Sequence, residues 1–213
     1  MPVSELIIGT PLPHHYYEQP TLTIARDLLG KTLWRQTEQG TVGGIVVETE
    51  AYISAIDPAS HNYRKLSKRS AVMFGPPGYA YVYFTYGMYH CFNVVTEPEG
   101  ASGAVLIRAI APSYGIDLMT RRCPPTRLLR DLARGPARLC QALDLTTVDN
   151  GLDLTGDALW LSETAGGNPF TDDQIATSPR IGITLGTDLP WRFFISAHRA
   201  VSGPKVVSYP PKQ

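Results

Sequence analysis

Short stretches in which apolar and polar positions alternate dominate the chain, and helical i, i+3, i+4 spacing occurs only in brief segments. The clearest strand signals fall at residues 31–36, 41–52, 79–86, 89–96 and 103–110, with shorter ones at 180–185 and 191–196. Thr23 is placed to cap a short helix through Leu29 that Gly30 ends, and Ser113 to cap another through about Arg122. Pro136 suits the first turn of a third helix, which carries Leu139 and Leu143 at an i, i+4 spacing. Residues 53–78 are polar and turn-rich, ending in Gly75-Pro76-Pro77-Gly78, and an excursion of that length is often functional. The expected fold class is α+β: one domain over residues 1–213, a mixed, mostly antiparallel sheet with surrounding helices. Residues 1–19 and 204–213 are expected to be peripheral or loosely held.

Composition narrows the class. The chain has 213 residues, a hydrophobic fraction of 43% and a charged fraction of 18%, which fits a globular protein with a sizeable core. No apolar run approaches the ~18 residues of a membrane helix, and the N-terminus lacks the basic and apolar regions of a signal peptide, so a cytoplasmic location is expected. The three cysteines, Cys91, Cys123 and Cys140, are widely spaced and form no C-x-x-C pair, so they read as buried or half-buried free thiols rather than zinc ligands. His14 and His15 form no metal-ligand spacing. Net charge is zero, which counts against a strongly electrostatic nucleic-acid binder. The charge is nonetheless clustered. Residues 64–69 hold four cations and no acid, and residues 121–138 hold six arginines against the single acid Asp131. Such clusters suit local phosphate contacts or simply a solvated face.

Several residues could carry chemistry. In a strand over 41–52, Val46, Glu48, Glu50 and Tyr52 share one face. Glu50 beside Tyr52 suits a general base, although a half-exposed surface carboxylate is the simpler reading of this segment, and Glu48 keeps that simpler reading. Tyr79, Tyr81, Tyr83, Tyr86 and Tyr89 fall within eleven residues. β-propensity accounts for tyrosines in strands but not for those beside Gly87, where a tight turn leaves Tyr86, Met88 and Tyr89 projecting from a protruding hairpin end. An aromatic wedge of that kind can enter a minor groove and prop open a base step. Arg108 sits within the apolar strand Ala104–Ile110 and needs a carboxylate or a polar cleft, with Glu50 a candidate partner. His61, in a loop, is more simply structural than catalytic.

Together these segments resemble the alkyladenine (3-methyladenine) DNA glycosylase family, in its single-domain form. The matching pieces are Val47-Glu48-Thr49-Glu50-Ala51-Tyr52, Asp57-Pro58-Ala59-Ser60-His61, Ala71 through Gly78, Tyr81 through Tyr89, Cys91, Asn93, Val105 through Ala109, and Gly135 through Leu143. They run in order from about residue 20 to about residue 203. Lys68 stands where the resemblance leads one to expect proline, and Ser196 through Arg199 drift from the pattern.

The resemblance implies an enzyme that flips alkylated or deaminated purines from duplex DNA and hydrolyses the N-glycosidic bond, leaving an abasic site. Glu50 would activate the water and Arg108 would hold both water and carboxylate. Tyr52, His61 and Tyr83 would stack on the flipped base, Leu106 would line its pocket, and Asn93 would collide with the 2-amino group of guanine. Tyr86 would fill the vacated stack with Met88 and Tyr89 beside it, and Arg69 and Arg138 would meet phosphates. Base flipping explains why an enzyme of this kind needs flat aromatic faces, and an alkylated cationic purine gains extra attraction from them. No lysine stands in for Glu50, so a one-step water mechanism is expected, with no metal or organic cofactor. The implied partner is double-stranded DNA carrying damaged purines, met by a monomer without a membrane. Two other readings remain open: a non-catalytic module for damaged or single-stranded nucleic acid, carried by the tyrosines and basic clusters, and a hydrolase of free nucleosides, for which Tyr86 would have no role.

Overall fold

The computed structural model describes residues 8–63, 68–125 and 127–203. Its spine is a 14-residue strand, β2 (Gly40–Ile53), following β1 (Thr32–Thr37). Further strands are β3 (Ala80–Thr85), β4 (Tyr89–Thr96), β5 (Gly103–Tyr114), β6 (Leu159–Ser162), β7 (Ile175–Ser178) and β8 (Arg192–Ile195). They form one sheet in the order β3-β4-β5-β2-β1-β6. One edge of β2 takes β5 along nearly its whole length. The other edge is shared: β1 pairs with the first half of β2, and β8, backed by β7, pairs with Glu48, Thr49 and Glu50. All of these ladders are antiparallel. The fold is thus α+β, and among the described residues no helix is long and apolar enough to cross a membrane.

Helices cover the main core. Helix α1 (Thr21–Asp27) buries Ile24 and Ala25 over β2, where the Thr49 hydroxyl donates to the Ala25 carbonyl at 2.6 Å. It begins before Thr23: Pro20 precedes its first turn, and the Thr21 amide donates to Glu97 instead. Helix α2 (Ile116–Arg121) follows β5 directly. Ser113 is no cap, because β5 runs through it to Tyr114, and Gly115, at φ 64°, makes the bend into the helix. A β-carbon there would sit 2.4 Å from the Thr41 carbonyl oxygen, so only glycine fits both the conformation and the space. Helix α3 (Pro136–Leu143) has the expected N-terminal proline and buries Leu139, Cys140, Ala142 and Leu143 against β4 and β5.

Two sheet expectations are corrected. Residues 180–185 form no strand; the segment pairing with β8 is β7, just before them. Strand β6 at 159–162 was not foreseen; it pairs with β1 and brings Trp160 onto Trp34, their rings stacked at 6.1 Å. The N-terminal segment is held as far back as Gly9, whose carbonyl accepts from Trp160 Nε1 at 2.8 Å, and Leu12 and Tyr17 are buried in the core. Residues 1–7, 204–213 and most of the basic cluster at 64–69 lie outside the described residues.

Candidate active site

One row across the sheet builds the floor of a cavity. Antiparallel register places Tyr81 opposite Asn93, Asn93 opposite Leu106, and Leu106 opposite Glu50. Directly opposite residues point to the same face, so four strands deliver these side chains side by side. Two residues along on that face stand Tyr83 opposite Cys91, and Tyr52 opposite Ala104. Small side chains at Cys91 and Ala104 leave a hollow between the larger ones. The cavity has a volume of about 490 Å³, within the range of small-molecule sites. The excursion after β2 adds His61 to its wall, and residues 181–185 close another side.

The walls are aromatic. Tyr81 and Tyr83 stack at 5.1 Å, and the His61 ring meets Tyr83 edge-on at 4.6 Å. His61 Nδ1 lies 3.0 Å from the Tyr81 hydroxyl. His61 keeps some exposed surface, but burial of its ring among the cavity residues disfavours its charge and Arg69 adds to this, so its pKa falls below the usual 6.5. Burial pushes Tyr81 up to about 12 and holds Tyr83 and Cys91 above their ordinary values, so these groups stay protonated. The Asn93 amide is fixed, its Nδ2–H donating to the Tyr81 carbonyl at 3.0 Å.

Two acids lie beneath this wall. Glu50 is completely buried. Its Oε2 accepts from the Tyr52 hydroxyl at 2.8 Å and lies 3.2 Å from Arg108 Nη1, while its Oε1 accepts the Ile181 amide N–H at 2.7 Å. Tyr52, Arg108 and Ile181 all face the cavity, so Glu50 stands directly behind its lining. Burial and then the adjacent carboxylate of Glu50 keep the Tyr52 phenol well above its usual pKa. The second acid, Glu48, is no surface carboxylate. It is fully buried, accepts from Arg108 Nε at 2.8 Å and Arg192 Nε at 2.7 Å, and takes the Ser202 amide at 2.6 Å. Arg108 reaches both acids because the ladder is irregular there. Glu48 opposes Ala109 and Thr49 opposes Ile107, leaving Arg108 as an extra residue that a bulge re-aims. Burial alone would depress the Arg108 pKa, but Glu50 and Glu48 raise it, so it stays a cation.

The hairpin of β3 and β4 stands at the cavity mouth. Tyr86 is 79% exposed and Met88 64%, with Tyr89 also exposed. Tyr86 and Gly87 both adopt left-handed backbone, at φ 51° and 68°, and the Met88 amide donates to the Thr85 carbonyl at 3.2 Å. Arg69 is exposed and lies 5.3 Å from the centre of the Tyr83 ring. Arg138 is exposed on α3, two residues from Pro136, which faces the cavity. The arginine cluster at 121–138 is only partly a solvated face: Arg122, Arg127 and Arg134 bond to groups of the protein itself.

Every pocket residue expected from the sequence therefore gathers at one cavity, with Glu50 behind it. Sequence reasoning missed Tyr81, Cys91 and the 181–185 segment. Tyr81 and Cys91 are two-residue neighbours of the chosen Tyr83 and Asn93, a period-2 signal that could have found them.

The methylpurine-DNA glycosylase (MPG) family profile matches residues 15–199. The chain belongs to this family. Relatives named "Putative 3-methyladenine DNA glycosylase" include one from Alkaliphilus oremlandii, 43% identical over 90% of this chain and 98% of the relative. Others are from Burkholderia lata, at 46% over 92% and 93%, and Carboxydothermus hydrogenoformans, at 46% over 90% and 98%. The protein is a DNA glycosylase, a hydrolase of DNA repair.

Proposed function

We propose that the enzyme flips 3-methyladenine, and also 7-methylguanine, hypoxanthine and ethenoadenine, out of duplex DNA into the aromatic cavity, and that Glu50 activates the water that releases the base. The observation that carries this is the setting of Glu50. An ionised carboxylate offers about four acceptor positions. Tyr52, Arg108 and Ile181, which all line the cavity, engage three, and the fourth is taken in this reading by the attacking water. That water gives a proton to Glu50 as its oxygen bonds to C1′ of the sugar. The C1′–N bond breaks with its electron pair going to the purine, so a cationic methylated base departs neutral, whereas hypoxanthine and ethenoadenine, uncharged in the nucleotide, depart as anions that take a proton from solvent. Positive charge developing on the sugar is favoured by the nearby carboxylate. Tyr52, His61 and Tyr83 hold the base, with Leu106 beneath it. A neutral His61 spares a cationic purine from repulsion. The pinned amide of Asn93 excludes guanine through its 2-amino group. Tyr86 fills the gap in the stack with Met88 and Tyr89 beside it, and Arg69 and Arg138 contact phosphates. The product is an abasic site with the strand intact, and the enzyme works as a monomer.

The test is a panel of duplexes carrying each lesion, treated with alkali after incubation with wild type and with Glu50→Gln. Wild type yields abasic sites from at least one lesion, whereas Glu50→Gln binds the same duplexes and yields none. A wild-type protein that binds the duplexes but releases no base refutes the reading.

A further inference from the structure

A fully buried ion pair adjoins the site without belonging to the chemistry above. The side chains of Asp57 and Arg180, 123 residues apart in the chain, have no exposed surface. Arg180 Nη2 donates to Asp57 Oδ1 at 2.7 Å, and its Nη1 donates to Oδ2, giving a two-pronged contact. The same guanidinium donates to the Ala51 carbonyl at 2.9 Å and to the Gly186 carbonyl at 3.3 Å. It lies flat enough to sit 4.6 Å from the Tyr52 ring centre and 5.3 Å from that of Trp191. A buried ion pair is no more stabilising than well-packed apolar groups of similar volume, so stability alone is a poor account of it.

The placement offers a better one. Residues 181–185 all face the cavity. Arg180 begins that segment and its own side chain grips Gly186, which ends it, so one guanidinium closes the loop while Asp57 anchors it to the excursion after β2. The next amide along, that of Ile181, donates to Glu50. Gly186 has φ 61°, and a β-carbon there would lie 3.0 Å from both Arg180 Nη2 and Asp57 Oδ1. The left-handed backbone and the close approach to the ion pair both favour glycine here.

We propose that Arg180, held by Asp57, is a positioning residue that clamps residues 181–185, keeping the Ile181 amide on Glu50 and Tyr52 in its place on the wall. The inference rests on the glycosylase reading of this site. Arg180 touches no reacting atom and acts through Ile181 and Tyr52.

Three variants test it. Arg180→Lys keeps the charge but loses the planar fork and its stacking. Gly186→Ala presses a methyl group onto the pair with both charges intact. Asp57→Asn with Arg180→Met removes both charges and leaves an oxygen for the Ala59 amide, which Asp57 Oδ1 accepts at 3.0 Å. Each is measured for single-turnover excision, for equilibrium binding of a lesion duplex, for thermal unfolding, and for amide exchange over residues 181–186. Misplacement of this kind slows excision by about 10–100-fold in each. Duplex affinity changes by less than about threefold, a loss of rate rather than of binding. The Ile181 amide exchanges faster in all three, while the double variant unfolds close to the wild-type temperature. Wild-type excision in the folded double variant overturns the proposal, as does unchanged exchange over 181–186 in all three. If wild type itself releases no base from any lesion, the reading of the site fails, and the exchange data alone then decide whether the clamp orders the segment.

Discussion

Glu50 shows how little a residue type decides by itself. A carboxylate on a strand is ordinarily solvated, yet here it has no exposed surface and three polar partners. Removing a general base of this kind costs about 10²–10⁴-fold in rate, so Glu50→Gln is expected to lose excision to that extent with lesion binding retained, as single-turnover kinetics and band-shift titrations would show. Asn93→Ser removes the amide held by the Tyr81 carbonyl, and release of undamaged guanine is the expected gain; unchanged discrimination in a guanine-release assay would assign the role elsewhere. His61 supplies a pH prediction. Burial, then Arg69, depresses its pKa below 6.5, so its neutral form favours the folded state. That contribution is present in full above pH 6.5 and is lost as pH falls through 6.5 and then through the lower folded value. An NMR titration of the imidazole should have its midpoint below 6.5, and a midpoint at or above 6.5 would contradict the account.

At the scale of elements, the hairpin and β2 carry opposite burdens. The hairpin tip exposes Tyr86 and Met88 and holds Tyr86 in left-handed backbone, which costs a non-glycine residue roughly 1–2 kcal/mol. Strain and exposure together suit a part that gains its partners only on binding. Tyr86→Ala is therefore expected to leave thermal stability unchanged or slightly raised while lowering excision from duplex DNA by at least about tenfold, the counterpart of about 1.4 kcal/mol of lost transition-state binding. Equal turnover of free nucleosides by wild type and variant would favour nucleoside hydrolysis instead. In β2, Glu48 ties Arg108 of β5 to Arg192 of β8. Glu48→Ala leaves two buried arginines short of an acceptor and should cost about 3–5 kcal/mol, read as a lower midpoint in urea unfolding.

For the molecule as a whole, neutrality sets the electrostatics. Net charge is zero, and within the 121–138 cluster Arg122, Arg127 and Arg134 are bonded internally, so that cluster offers phosphates fewer cations than its composition suggests. DNA binding should therefore show a shallow salt dependence, each phosphate contact adding about 0.9 to the slope of log K against log salt. Arg69→Ala and Arg138→Ala should each reduce that slope by about one; a slope unchanged in either variant would remove that residue from the phosphate contacts.

Strands β2 to β5 and helix α3 were legible in the chain, because their periodicity and the Pro136 and Gly87 signals are local. So, through resemblance, was the set Glu50, Tyr52, His61, Tyr83, Asn93, Leu106 and Arg108 that the fold gathers at one cavity. The alternation of β2 puts Glu48 and Glu50 on one face, but alternation cannot say whether that face is covered. Coverage comes from β8 and from Ser202, some 150 residues away, and it turns a presumed surface acid into the buried partner of two arginines. The segment 180–185 has the composition of a strand and forms none, since the neighbouring β7 takes the pairing with β8 and Arg180 turns inward to Asp57. Local sequence determined which elements form and which residues could do chemistry. Burial, the bulge at Arg108 and the clamp on residues 181–185 depend on contacts between distant parts of the chain, so only the tertiary structure decided them.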